Sequence, residues 1–235
     1  MEIQLITLKE TPARESKAIK ELQKFTQNYK IHRFKRNPIG WKGCINSHLE
    51  IFQYGVDTSS EVLWIAEDNI AYNSDFNREY LNDLKNFMNT CSNWGIIFVG
   101  GYIHRPWDYC QDTIYPQIYE TKNNNHGTVS YIIHRRLYEE ILNCNKISPI
   151  NEHYDIFLTK FAKKCFIFNP LIFYHAHDID SNINQHSDIW RRIWFHPRMM
   201  KIHSELFFKR VYLYLLSLLI VIGILWCCLN KQRKS

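Results

Sequence analysis

The chain has 235 residues, 46% hydrophobic and 15% aromatic, with a net charge of +6; this excludes intrinsic disorder and supplies one sizeable core. The basic excess is spread along the chain and accompanies no nucleic-acid motif, so no nucleic-acid partner is expected. Seven cysteines are scattered without a C-x-x-C spacing, so reduced thiols are expected, with neither a disulfide framework nor a zinc site.

In chain order, "IQLITL" (3–8) predicts a buried strand. "TPARESKAIKELQKF" (11–25) predicts a helix, with Thr11 as N-cap, Pro12 at the first helical position and an apolar stripe of Ala18, Ile19, Leu22 and Phe25. "NPIGWKG" (37–43) is a turn, and "CINSHLEIFQYG" (44–55) an amphipathic helix ending at Gly55. "EVLWIAED" (61–68) is a strand, "SDFNREYLNDLKNFMNTC" (74–91) a helix capped by Ser74, and "WGIIFVGG" (94–101) a strand running into a glycine turn. Residues 102–127 read as irregular, with "TKNNNHG" (121–127) a loop. Strand and helix resume in "TVSYIIHRRLYEEILN" (128–143). A helix follows over 151–164, then an extended stretch over 165–175 broken by Pro170 and a loop beyond it. Alternating strands and helices predict a single α/β domain over 1–189 with a largely parallel sheet.

The remainder differs in character. "VYLYLLSLLIVIGILWCCL" (211–229) carries no charge over 19 residues, a length that matches the hydrocarbon core of a bilayer. A single-pass C-terminal transmembrane helix is expected there, with a basic tail over 230–235. The N-terminus lacks a secretory signal pattern, so tail insertion with the large domain in the cytosol is expected. Both flanks are basic, which gives the positive-inside rule little to act on and leaves a lumenal orientation open. Between domain and anchor, residues 190–210 include Arg191, Arg192, Arg198 and Lys201 beside Trp190 and Trp194. This pattern suits either an interfacial helix drawn to acidic membrane lipid or a solvated helix closing the domain.

The strand at 61–68 aims at Glu67, Asp68 and Asn69. In α/β sheets ligands collect beyond the carboxyl ends of strands. Adjacent acids at such a tip serve either a hard divalent cation through oxygen ligands or acid/base catalysis, and a solvated turn is the plain alternative. "YHAHD", with His175, His177 and Asp178, offers two imidazoles on one side of an extended segment. These suit a zinc hydrolase only weakly, and a single histidine joining the acidic strand end is the preferred alternative.

Several segments together resemble glycosyltransferase family 25. "GWKGCINSHLEIFQYG" (40–55), followed by "VLWIAEDN" (62–69), is similar to that family's G-x-x-G-C-x-x-S-H segment and its hydrophobic strand ending in E-D-D. "IQLITLKETPARE", "WGIIFVGG", "TVSYIIHRRLYEEIL", "HYDIFL" and "NPLIFYHAHDIDSNI" match further elements in order, so the resemblance spans roughly residues 2–185. It implies a GT-A type, Rossmann-like nucleotide-sugar domain. The implied reaction transfers a sugar, galactose or glucose, from a UDP-sugar to a hydroxyl on a protein or glycan acceptor, with inversion and with Mn2+ or Mg2+. On these positions it implies Glu67, Asp68 and Asn69 as metal ligands with His175 beside them. Asp155 is implied as the base with Glu152 second, and Arg14, Ser47, His48 and Tyr131 as donor-binding. Each has a plainer reading: a solvated helix acid for Asp155 and Glu152, a surface charge for Arg14, and satisfied core residues for His48 and Tyr131. The chain departs from the family at Asn69, where the pattern has Asp. An amide carbonyl lacks formal charge and binds a cation more weakly, which keeps a membrane-anchored, catalytically degenerate binding protein as the alternative.

Overall fold

The computed structural model describes residues 1–101, 109–121, 127–162 and 164–176. The segment expected to cross the membrane (211–229), the basic segment before it, and His177 and Asp178 all lie outside these residues. Among the described residues no helix is long and apolar enough to cross a membrane.

The strands are β1 (Ile3–Leu8), β2 (Tyr29–Phe34), β3 (Val62–Glu67), β4 (Ile70–Tyr72), β5 (Ile96–Gly101), β6 (Tyr109–Asp112), β7 (Ile118–Thr121), β8 (Ser130–His134), β9 (Cys165–Phe168) and β10 (Phe173–His175). The helices are α1 (Pro12–Phe25), α2 (Gly40–Asp57), α3 (Leu81–Thr90), α4 (Arg135–Ile147) and α5 (Tyr154–Phe161). The sheet runs β2-β1-β3-β8-β5-β9-β7-β6, with β10 pairing β5 and β4. β1 is parallel to β2 and β3, and β5 is parallel to β9 and β10. Between these halves β8 runs antiparallel to both β3 and β5, so the expectation of a largely parallel sheet is corrected to a mixed one.

Helices cover both faces, and the pleat decides which residue meets which helix. On one face Ile3, Leu5, Trp64, Ala66, Ile97 and Val99 pack with Ala18, Leu22 and Phe25 of α1 and Leu84 and Phe87 of α3. On the other, Leu63, Ile65, Phe98, Tyr131 and Ile133 pack with Ile45, Ile51 and Phe52 of α2, Leu137, Tyr138 and Ile141 of α4, and Tyr154 and Leu158 of α5. Odd and even residues of β3 therefore belong to different cores, an alternation that governs the site below.

Several expectations are corrected locally. Pro12 opens α1, but the Thr11 hydroxyl donates to the Leu8 carbonyl rather than capping the helix. The helix expected from Ser74 is a short 3-10 turn at Arg78–Tyr80, capped by the Asn77 side chain, followed by α3. Residues 102–127 are not wholly irregular, since β6 and β7 form an antiparallel pair within them. α2 starts four residues earlier than expected and runs past Gly55 to Asp57.

Gly55 is there for packing. A Cβ at this position would lie 2.7 Å from Leu63 Cδ1 and 3.2 Å from Tyr138 Cζ, both on buried side chains. Close-packed interiors do not yield to such an intrusion cheaply. Gly55→Val is expected to destabilise the fold by at least about 2 kcal/mol, read from chemical denaturation; unchanged stability would show that α2 rides more loosely on β3.

Burial also sets an alkaline limit. The Cys165 thiol, on β9 and buried, is pushed up from 9.0 to about 12 by desolvation, with Glu120 adding to it. The folded state thus keeps a proton that the unfolded chain releases from about pH 9, so stability falls as pH rises from there through about 12. Over that window the thiol accounts for a loss of about 4 kcal/mol. Cys165→Ala is expected to flatten the decline of the denaturation midpoint above about pH 9, and a decline parallel to wild type would contradict this.

Candidate functional site

The site gathers at the carboxyl end of β3, where the acidic stretch does not act as one cluster. Successive side chains of a strand point to opposite faces. Glu67 continues the Leu63, Ile65 series toward α2 and α5, while Asp68 continues the Trp64, Ala66 series toward α1. The hydrogen bonds follow this division.

Asp68 is buried, 5% exposed. One carboxylate oxygen accepts from Thr7 Oγ1 at 3.2 Å, and the other accepts from the Arg14 guanidinium in an ion pair. Burial pushes the Asp68 carboxyl up, Arg14 pulls it down and neighbouring Glu67 pushes it up again, and the balance lies above the ordinary carboxylate value. Arg14, one of the residues implied for donor phosphates, is thus committed to Asp68.

Glu67 faces a different set. Its backbone N–H donates to the Val129 carbonyl at 2.9 Å, tying the strand end to the start of β8. Oε1 accepts from the Thr128 hydroxyl and lies 3.4 Å from His48 Nε2. Oε2 accepts from Asn69 Nδ2 at 3.4 Å. Burial alone would raise this carboxyl, but the hydrogen bond and charge of His48, with help from Thr128 and the charge of His175, outweigh it and hold Glu67 below its ordinary value. Glu67 is therefore an ionised carboxylate kept ionised. Beside it, Asn69 Oδ1 is buried and has no hydrogen-bond partner among the described residues.

The surrounding side chains are held firmly. His48, 1% exposed, stacks on Tyr154 with ring centroids 4.3 Å apart and an interplanar angle of 16°. Its Nδ1 is 2.7 Å from the Tyr131 hydroxyl, which lies 3.1 Å from the Tyr154 hydroxyl. Burial pushes both phenols well up, so they stay protonated as hydrogen-bonding groups. Tyr131 is fully buried and its hydroxyl is spent on His48 and Tyr154. Ser47 is buried, and its hydroxyl donates to the Gly43 carbonyl at 3.0 Å within its own helix. Cys44 lies one turn before His48 on α2. Burial pushes its thiol well up, with Glu67 and Asp155 adding to that rise.

Asp155 sits in the first turn of α5 and is half-buried, with Oδ1 accepting from the Ile156 backbone N–H at 2.8 Å. Glu152, just before α5, pairs with Lys160 at 2.5 Å on the surface of that helix. His175 closes β10 opposite Ile70, and the next residue, Ala176, donates its N–H to the Asn69 backbone carbonyl at 2.6 Å. That bond sets the end of β10 against the turn after β3. The structure thus brings Glu67, Asn69, His48 and His175 to one corner, with Asp155 near it. It directs Asp68 and Arg14 to the opposite face and leaves Glu152 in an ion pair elsewhere. Three contributors were missed in the sequence, Thr128, Tyr154 and Cys44; the last had a signal, a C-x-x-x-H pair one helical turn apart.

Oxygen donors suit a hard divalent cation, and Glu67 with the Asn69 side-chain oxygen Oδ1 fits one. Asp68, already satisfied by Arg14 and Thr7, does not join that set.

No protein family model matches the chain, and no curated protein matches it. Solved structures resemble it loosely. The chain is similar to A197 from STIV at 14% identity, over 77% of this chain and 87% of that one, with a TM-score of 0.46. It is similar to a glycosyltransferase involved in the glycosylation of the major capsid of PBCV-1 at 11% identity, over 74% and 92%, with a TM-score of 0.43. The glycosyltransferase GlyE of Streptococcus pneumoniae TIGR4 shares 10% identity over 82% of this chain and 58% of that one, with a TM-score of 0.44.

Proposed function

We propose that this chain is a membrane-anchored glycosyltransferase of the family 25 kind, moving a sugar from a UDP-sugar to a hydroxyl acceptor. The observation that carries the proposal is the pairing of Glu67, an ionised carboxylate at a strand's carboxyl end, with the buried Asn69 side-chain oxygen Oδ1, unpartnered among the described residues. Glu67 and Asn69 would hold Mn2+ or Mg2+, which when bound offsets the negative charge that develops on a leaving diphosphate. The remaining work falls to the chain's own groups. Thr128 and His48 fix the Glu67 carboxylate in one orientation and keep it ionised. Asp155 takes the proton of the acceptor hydroxyl as that oxygen bonds to the sugar's anomeric carbon and the bond from that carbon to the diphosphate oxygen breaks. Arg14, fixed by Asp68, contributes positive charge at the far side of the strand end. The apolar segment at 211–229, with the basic, aromatic residues before it, anchors the domain to a lipid surface.

One observation favours a second reading, a degenerate member that binds nucleotide sugars without turnover. The pleat and the Arg14 ion pair leave Glu67 as the only carboxylate of the 67–69 stretch on the cation side. Thermal denaturation of the full chain with UDP-glucose or UDP-galactose, with and without Mn2+, tests both readings. A donor at 100 times its dissociation constant adds about 2.7 kcal/mol, which in a chain of this size raises Tm by about 5–10 °C. The rise is expected only with metal and sugar nucleotide together, and UDP release in the same mixtures separates the transferase from the inactive binder. Indifference to every UDP-sugar would overturn both. Asn69→Asp is expected to enlarge the metal-dependent rise, because a second carboxylate then faces the cation; loss of the rise would contradict the ligand set.

A further inference from the structure

Cys44 and His48 stand four residues apart on α2, so their side chains leave the same face of the helix. That face meets the end of β3, and one ligand atom each from Cys44, His48 and Glu67 lies within 4.8 Å of the other two. The histidine is not free to turn away. Tyr131 holds Nδ1 at 2.7 Å and the Tyr154 ring stacks on the imidazole, which leaves Nε2 directed at Glu67 Oε1. Metal-binding histidines show this arrangement, with the second ring nitrogen fixed by a polar partner that sets tautomer and orientation. Thr128 supports the set from outside, donating its hydroxyl to Glu67 Oε1.

From this geometry we infer that Cys44, His48 and Glu67 form a three-ligand site for a borderline-soft divalent metal of the zinc class, with a fourth position open. The ligand types choose the metal. Thiolate and imidazole favour zinc and its neighbours, whereas Mg2+ takes oxygen ligands almost exclusively. Tetrahedral zinc bonds of about 2.0–2.3 Å place ligand atoms about 3.5 Å apart, so atoms now within 4.8 Å of one another need to close by up to about 1.3 Å. Glu67 serves this site through Oε1, on the His48 side, and faces Asn69 through Oε2. The inference stands apart from the transferase reading because its readout is bound metal with no sugar donor present.

The test uses the full chain purified in detergent micelles, stripped with a chelator and titrated with Co2+, then with Zn2+. Stoichiometric cobalt with a sulfur-to-cobalt charge-transfer band, displaced by zinc, is the expected result. Cys44→Ser is expected to keep its circular dichroism, lose the band and weaken zinc binding by more than about 100-fold. Cys91→Ser, distant on the far side of the sheet, is expected to retain both. Tyr131→Phe keeps the band but binds zinc about 10- to 100-fold more weakly, as loss of a fixed imidazole partner predicts. A wild-type protein that binds no cobalt, or binds it without a sulfur band, overturns the inference even if Cys44→Ser fails to fold. So does a Cys44→Ser variant that keeps the band.

Discussion

Glu67→Gln is expected to lower sugar transfer by about 100-fold or more, the loss typical of removing one group that stabilises transition-state charge, and to abolish manganese-dependent stabilisation by UDP-sugars. The substitution is nearly isosteric, and the amide oxygen can still accept from Thr128, so the fold should persist. What disappears is the charge. The protein keeps that charge against the pull of burial, because His48, Thr128 and His175 together favour the ionised form. With an amide at position 67 the pair offers only two neutral oxygens, which bind a divalent cation far more weakly than a set that includes a carboxylate. The measurement is UDP release from each donor at saturating Mn2+, beside thermal denaturation of the same variant. Wild-type turnover in Glu67→Gln would remove this residue from the mechanism and with it the cation site on the α2 side.

Much of the fold was legible in the sequence where a local signal had no competitor. β1 falls on the predicted residues and Pro12 opens α1 as expected, because an apolar run and a proline at the first helical position are local facts. The direction of β8 was not legible. Strand orientation depends on which neighbours a strand finds, and nothing in "SYIIH" distinguishes the two senses. β2 was hidden for another reason: as an edge strand it carries Lys30, His32 and Arg33, charges that keep edges from pairing with other chains. At the site, the two acids were visible but their separation was not. β3 is buried on both faces, so its residues show no polar alternation that would assign odd and even positions to different helices. Read as a run of letters, Glu67 and Asp68 are neighbours; in the sheet they face opposite layers. Gly55 misled in the same way, since a glycine that ends helices in isolation here lets α2 approach Leu63 and Tyr138.

That separation makes Arg14→Met the variant with the largest expected effect on stability. Asp68 retains little solvent contact, and its ion-pair partner supplies the only full positive charge bonded to it among the described residues. Removing one member of a buried pair costs about 3–5 kcal/mol, because the remaining charge is left uncompensated. The sign of the pH dependence follows from Asp68. Its carboxyl already lies above its ordinary value, chiefly through burial, and losing Arg14 raises it further. The folded variant therefore binds a proton more tightly than the unfolded chain, and its deficit should shrink as pH falls through the folded value toward the ordinary carboxylate range. Asp68→Asn in the Arg14→Met background removes the stranded charge while keeping an acceptor for Thr7. The double variant is expected to recover about 2–3 kcal/mol relative to the sum of the single changes. Denaturant titrations of the four proteins at neutral and acidic pH measure that coupling. Strict additivity at neutral pH would mean that Arg14 and Asp68 do not hold each other, and α1 would then be fixed to the sheet by its apolar stripe together with the contacts of Glu15 with Arg33 and of Glu21 with the Tyr72 N–H.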